Sequence, residues 1–323
     1  MPIAKPQAKK YVTVEDFHQQ NSRALGLQLL SGHAGLNRKI REPTVNRPGL
    51  ALAGFTKYFA GKRIQVIGSA ESNFLKSLSR SKRELRYRDL MSRGIPCLVF
   101  CRKMNPEKVL LEIAEEKKIP VFKSDLITMK FINLATLALE LDFASRGSVQ
   151  GSMVDILGVG VILRGESGIG KSESVLALIE RGYSLVSDDV TRVTILDGVH
   201  VIGTSAETTR NHMEVRGIGI INVASMFGVK SIRKDKQVDL VVTLKVWDHS
   251  MLIERVGIDD EFTQILGIDV PHITIPVRPG RDLARLVEVA AFQTKLKTSG
   301  YNSAKELNDR LIHKMTTSGK LRN

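Results

Sequence analysis

The stretch Gly165-Glu166-Ser167-Gly168-Ile169-Gly170-Lys171-Ser172 constrains this chain more than any other. It has the spacing of a phosphate-binding loop. An apolar run, Val159 to Arg164, precedes it, and a helix-like run, Ser172 to Arg181, follows it. That context is a strand feeding a glycine-rich turn that opens a helix. Phosphate oxygens need several donors at close range. Glycines at Gly165, Gly168 and Gly170 let backbone N–H groups turn inward, and the helix behind them presents its positive end. In such a loop Lys171 reaches the transferring phosphates and the Ser172 hydroxyl is a ligand for Mg²⁺. Gly182 is the natural C-cap of the helix.

The residues around this loop extend the reading. Ser148 to Ile156 and Val159 to Arg164 are β-prone runs, and Leu157-Gly158 between them is a hairpin turn. Leu185-Val186 reads as a strand ending in Asp188-Asp189, where folds of this kind place a metal-binding or base carboxylate. Neighbours on a strand face opposite sides, so one carboxylate can hold metal or lysine while the other addresses a substrate hydroxyl. Further strand runs are expected at Thr191 to Leu196, Gly219 to Val223, Val238 to Val246 and Ile273 to Val277. Asp282 is placed to cap a helix ending near Gly300. Met213 to Asn222 alternates glycine with apolar residues and carries Glu214, Arg216 and Gly217. Its residues suit a metal and a phosphate, and equally a plain joint between loop and strand. Arg255 and the run Pro276-Val277-Arg278-Pro279-Gly280-Arg281 add guanidinium groups, which pair well with phosphate.

The chain has 323 residues, and domains run to roughly 100–200 residues each, so two domains are expected. The first half alternates helix-like and strand-like segments: helix from Val14 to Leu30, strand at Arg63 to Gly68, helix from Glu71 to Leu90, strand at Pro96 to Cys101. A helix at Asn105 to Lys118 with Pro106 in its first turn, a strand at Ile119 to Phe122, and a long helix from Ser124 or Asp125 to about Ser145 complete it. That alternation is the signature of a parallel α/β domain. The boundary falls near residue 140, giving an N-terminal α/β domain over 1–140 and a P-loop catalytic domain over 141–323.

No apolar run reaches the roughly 18 residues of a membrane span. The polar start, Met1 to Val12, lacks the apolar core of a secretory signal. The two cysteines, Cys97 and Cys101, share an apolar strand-like run and lie too far apart along it for a disulfide, so both are expected in a core. A reducing cytoplasmic setting follows. The net charge is +14, densest at Lys76, Arg80, Lys82, Arg83, Arg86, Arg88 and Arg93. This is either a solvated helical face or a docking surface for an acidic partner. With aromatics at 5% of the chain and no RNA-recognition signature, nucleic acid is not the expected partner.

Taken together, Asn46-Arg47-Pro48-Gly49-Leu50, the P-loop through Glu173, Arg181-Gly182, Asp188-Asp189, Glu214 to Val223 and Pro276 to Arg281 resemble the bifunctional HPr kinase/phosphorylase family of bacteria. The order and spacing are similar over nearly the whole chain. The resemblance implies a serine kinase that uses ATP or pyrophosphate with Mg²⁺. Its protein substrate would be HPr, the phosphocarrier of the sugar phosphotransferase system. The same site would run the reverse reaction with inorganic phosphate, giving pyrophosphate. It implies a P-loop kinase domain similar to phosphoenolpyruvate carboxykinase, and a homohexamer. Carried over onto matching positions, Lys171 binds phosphate, and Ser172 and Glu214 hold Mg²⁺. Asp189, favoured over Asp188, takes the serine proton and returns one in reverse. Arg255 steadies phosphate charge, Met213 to Asn222 is shared catalytic region, and Pro276, Arg278, Gly280 and Arg281 match the segment tied to dephosphorylation.

One position departs from the family, which places a histidine where this chain has Gln150. Glutamine donates and accepts hydrogen bonds but carries no charge. The expectation is that kinase activity survives and phosphorolysis is altered. The competing readings are a P-loop kinase with another protein or small-molecule acceptor, and a non-catalytic nucleotide-binding regulator.

Overall fold

The computed structural model describes residues 9–248 and 260–319. Arg255 lies outside the described residues. The chain divides into two compact units, with the break between Ala144 and Ser145.

The first unit is built on a five-stranded sheet, in the order Leu27–Ser31, Val121–Ser124, Leu98–Phe100, Ile64–Ile67, Val45–Asn46. The last four strands are parallel, and Leu27–Ser31 joins antiparallel at the edge. Ile64, Gln65, Val66 and Ile67 are all buried, as a strand covered on both faces requires. Cys97 and Cys101 flank the strand Leu98–Phe100, and both are buried free thiols packed with Val99 and Phe122.

Several helix boundaries differ from expectation. The first helix is Val14–Leu25, not Val14 to Leu30. Gly26, at φ 57°, closes it with its N–H on the Ser22 carbonyl, and the apolar residues beyond become the edge strand. The helix expected over Glu71 to Leu90 is two, Ser69–Ser77 and Arg80–Ser92, parted where Leu78 and Ser79 turn extended. The third runs over Lys108–Glu116, with Pro106 ahead of it and Glu107 as its N-cap. The long helix is Thr128–Phe143; Ser124 does not open it, because its hydroxyl donates to the Leu25 carbonyl at 2.6 Å at the end of its strand. On the basic helix, Arg83 pairs with Glu107, Arg88 with Glu84 and Glu116, and Arg93 with Asp89. Three of the seven cations in the cluster are thereby paired locally.

The second unit centres on a six-stranded sheet, ordered Ser184–Ser187, Ser152–Ile156, Val159–Arg164, Leu240–Val246, Ile268–Val277, Glu261–Ile265. Val159–Arg164, Leu240–Val246 and Ile268–Val277 run parallel at its centre. The Leu157-Gly158 turn joins Ser152–Ile156 to Val159–Arg164 as an antiparallel hairpin, with both turn residues at positive φ. Val161 and Leu163 face one core with the helices Lys171–Glu180 and Leu283–Thr298. Ile162 faces the other core, shared with Val149, Val193 and Val201. These come from a four-stranded antiparallel sheet, ordered Asp235–Gln237, His200–Thr204, Val190–Leu196, Arg146–Gln150.

The single run expected over Ser148 to Ile156 thus divides at Gly151 between two sheets. Gly151 is needed there: a Cβ would meet the Leu163 carbonyl oxygen at 2.8 Å.

Candidate active site

The parallel strands deliver their carboxyl ends to one edge of the central sheet, where ligands of open α/β sheets bind. The P-loop leaves the end of Val159–Arg164 at that edge. Gly168 and Gly170 have φ of 85° and 100°, a region that a Cβ penalises. Lys171 starts the helix Lys171–Glu180, and its Nζ donates to the carbonyls of Gly165 at 3.0 Å and Glu166 at 3.1 Å. The ammonium is thereby held inside the loop. Ser174 anchors the first turn through Oγ on the Gly170 carbonyl at 2.6 Å. Ser172 is half-buried in that same turn, while Glu166, Ser167 and Gly168 are exposed and Ile169 packs partly into the core.

A hairpin of His212–Val215 and Gly219–Asn222 sits against the loop. Arg216, at its tip, donates to the Ser167 hydroxyl, and its Nη1 lies 3.0 Å from where a Gly168 Cβ would stand. Gly217 follows at φ 82° in the same turn. Glu214 is exposed on the first strand of the hairpin.

Asp188 and Asp189 do not lie on a strand as expected. The strand ends at Ser187, and the aspartates form a bend in which Asp189 takes φ 53°. What separates their roles is therefore the bend and its partners, not the alternation of a strand. Asp188 accepts the Ser152 hydroxyl at 2.8 Å on one oxygen and the Glu214 N–H at 3.0 Å on the other. Asp189 is fixed by its backbone: its N–H donates to Ser152 Oγ at 3.3 Å and its carbonyl accepts the Gly151 N–H at 2.7 Å. Its side chain is exposed and, among the described residues, makes no hydrogen bond.

Gln150 ends the strand Arg146–Gln150 opposite Val190, with an exposed side chain. Pro276 and Val277 end their strand beside Lys245 and Val246. The Arg278 guanidinium stacks on Trp247, 3.5 Å from the ring centroid. Gly280 and Arg281 complete the turn, in which the Arg281 N–H donates to the Arg278 carbonyl. Asp282 then caps Leu283–Thr298, as expected, through the Arg285 N–H at 3.0 Å. Leu283 lies 3.4 Å from where a Gly170 Cβ would be, so this segment runs beside the cradle. Arg181, at the far end of the P-loop helix, pairs with Asp282 and Glu288.

The donor set suits Mg²⁺ in kind. Ser172 and Glu214 offer hard oxygens, and Mg²⁺ is commonly held by one or two protein oxygens with phosphates completing its shell. Among the described residues no group of His, Cys, Asp and Glu forms a self-sufficient metal site. Sequence reasoning missed Ser152, which joins both aspartates, and Trp247, the platform for Arg278. Trp247 is the sole tryptophan, a signal in itself.

A phosphate cradle, a bend with one unengaged carboxylate, an anchored glutamate and flanking guanidiniums define a P-loop phosphotransferase. Comparison with known proteins narrows this class. The family model described as the HPr serine kinase N terminus matches residues 12–139, and that of the HPr serine kinase C-terminal domain matches residues 141–311. The HPr kinase/phosphorylase of Leptospira biflexa is 39% identical over 302 residues, covering 93% of this chain and 94% of that protein. That of Geobacter sulfurreducens is 39% identical over 304 residues, covering 94% and 95%. The solved structure of the Hpr(Ser) kinase/phosphatase from Coxiella burnetii is 33% identical, matching 50% of this chain and 97% of that one with a TM-score of 0.45. The chain belongs to the HPr kinase/phosphorylase family.

Proposed function

We propose that this chain phosphorylates a regulatory serine of HPr with ATP or pyrophosphate, and removes that phosphate by phosphorolysis, in the control of carbon metabolism. The observation that carries the reading is the division of labour at the bend. Asp188 has both oxygens engaged by the scaffold, while Asp189 projects an exposed carboxylate beside it.

In the kinase direction, the serine oxygen bonds to the terminal phosphorus, the bridge to ADP breaks, and Asp189 takes the hydroxyl proton. In reverse, inorganic phosphate attacks the phosphoserine phosphorus. The P–O bond to serine breaks, and the proton lost by the phosphate reaches the serine oxygen through Asp189. Pyrophosphate leaves. The P-loop N–H groups and Lys171 bind the donor phosphates, and Lys171 exchanges its loop carbonyls for them. Arg216 positions the loop through Ser167. Arg278 and Arg281 flank the phosphate edge. Ser172 and Glu214 would hold Mg²⁺, which would supply neutralisation of the charge developing on the phosphate.

No helix among the described residues is long and apolar enough to cross a membrane. We place the protein in the cytoplasm, as a homohexamer, on the strength of the family resemblance. The test is transfer of label from γ-labelled ATP to purified HPr. Labelling of one serine, lost in Lys171→Ala, supports the reading. ATP binding without any labelling of HPr removes HPr as the acceptor.

A further inference from the structure

Arg164 is the last residue of the strand that feeds the P-loop. Along this strand Ile162 faces the core shared with the small antiparallel sheet, and by alternation Arg164 faces the same side. There its Nε donates to the Gln150 carbonyl at 3.2 Å. Its Cγ lies 2.9 Å from where a Gly151 Cβ would stand. Gly151 in turn donates its N–H to the Asp189 carbonyl at 2.7 Å. The guanidinium is thus fixed between the phosphate cradle and the bend that carries Asp189.

It is also half-buried, and among the described residues no carboxylate is paired with it. Burial lowers its pKa, yet a guanidinium stays charged at any working pH. A half-buried cation without a counter-ion is costly, and such a group persists where an anion completes it. The neighbouring strand offers none. Thr243 is its Cα partner, and beyond it the Thr243 hydroxyl meets His272 Nε2 at 2.9 Å. Burial lowers the His272 pKa, and the charge of Arg164 adds to that against the opposing pull of Glu261.

We propose that Arg164 supplies the fixed positive charge on the acceptor side of the cradle, contacting the phosphoryl group in transit and the inorganic phosphate that removes it. The inference rests on the kinase/phosphorylase reading. It also revises the expectation drawn from Gln150: the charge that glutamine lacks is provided from the facing sheet, through the residue that donates to the Gln150 carbonyl. Phosphorolysis is therefore retained.

The test compares the full-length protein with Arg164→Met and with the double variant Arg164→Met/Gln150→His. The readouts are the KM for inorganic phosphate in phosphorolysis, the calorimetric affinity for inorganic phosphate, and the melting temperature. Arg164→Met is expected to raise both the KM and the dissociation constant roughly ten- to hundredfold, the scale of a charge-assisted hydrogen bond. The melting temperature is expected to hold, and the double variant to recover part of the loss. Unchanged phosphate affinity in Arg164→Met overturns the inference. If that variant does not fold, Arg164→Gln, which keeps a donor for the Gln150 carbonyl, carries the same comparison. If the native protein never acts on HPr, the functional reading falls, while the calorimetric arm still decides the role of Arg164.

Discussion

The carboxylate of Asp188 accepts the backbone N–H of Glu214 at 3.0 Å, and so holds the strand that carries Glu214 against the Asp188-Asp189 bend. Its other oxygen accepts Ser152 Oγ. Adjacent aspartates therefore do unlike work, and their substitutions part company. Asp188→Ala leaves a buried hydroxyl and an N–H without their acceptor. It is expected to lose about 1–3 kcal/mol of stability and to raise the Mg²⁺ concentration needed for activity. Chemical denaturation and a Mg²⁺ titration check this.

For Asp189 the informative change is to asparagine, which tolerates the left-handed backbone at φ 53°. Stability is expected to stay within about 0.5 kcal/mol of the native protein. Phosphoryl transfer is expected to fall by roughly 10²–10⁴, the range for losing a general base. Equal loss of stability in both variants would contradict the division of roles.

The contrast between these residues also marks where the sequence was legible. Strand, glycine turn and helix around Gly165 to Ser172 are local, and the glycine spacing together with its strand-to-helix context was legible in the sequence. The Leu157-Gly158 hairpin and the Asp282 cap are local too, and both stand as read. Boundaries set by non-local contacts were not legible. Gly26 ends the first helix because Leu27–Ser31 pairs with Val121–Ser124, far along the chain. Asp188-Asp189 leaves the strand because Ser152 and Gly151 grip the bend from another part of the sheet. Arg164 carried no motif of its own. Its meaning arises only when Gln150 and Gly151 arrive beside it.

Gly160 lies in the middle of the strand that feeds the cradle, and a Cβ there would stand 1.8 Å from the Gln237 carbonyl oxygen. Backbone cannot yield as a side chain can. Gly160→Ala is expected to cost about 1–3 kcal/mol or more through overpacking, with nucleotide affinity falling as the strand shifts. Urea denaturation measures the first and equilibrium nucleotide binding the second. A variant of native stability would show that the strand packs more loosely than the 1.8 Å approach requires.

Asp239 accepts the Gly160 N–H at 2.7 Å, and burial raises its carboxyl above the ordinary range. A raised folded-state pKa means the native protein holds this proton more tightly than the unfolded chain. The contribution to stability is full below the ordinary value of about 3.9 and is lost as pH rises through the raised one. Asp239→Asn keeps an acceptor and removes the charge. It is expected to be at least as stable as the native protein at pH 7, with its relative advantage shrinking as the pH falls through that window. An Asn variant equally destabilised at both ends would contradict this.

Cys97 and Cys101 are buried, and burial pushes both thiols up to about 12. The thiolate is the reactive form, so the folded protein is expected to resist iodoacetamide at pH 8 and to take up label at both positions only in denaturant. Mass spectrometry of the alkylated peptides gives the answer. Rapid labelling of either cysteine without unfolding would contradict the packing of this core.

The proposed function requires one site to move a phosphoryl group in both directions through Asp189. Its most direct test starts from HPr carrying labelled phosphoserine, given excess unlabelled inorganic phosphate and the native protein. The label is expected to appear in pyrophosphate, and Asp189→Asn to slow its release by roughly 10²–10⁴. Label recovered as free phosphate, with no pyrophosphate formed, would mean that water rather than phosphate is the acceptor, and would contradict the account.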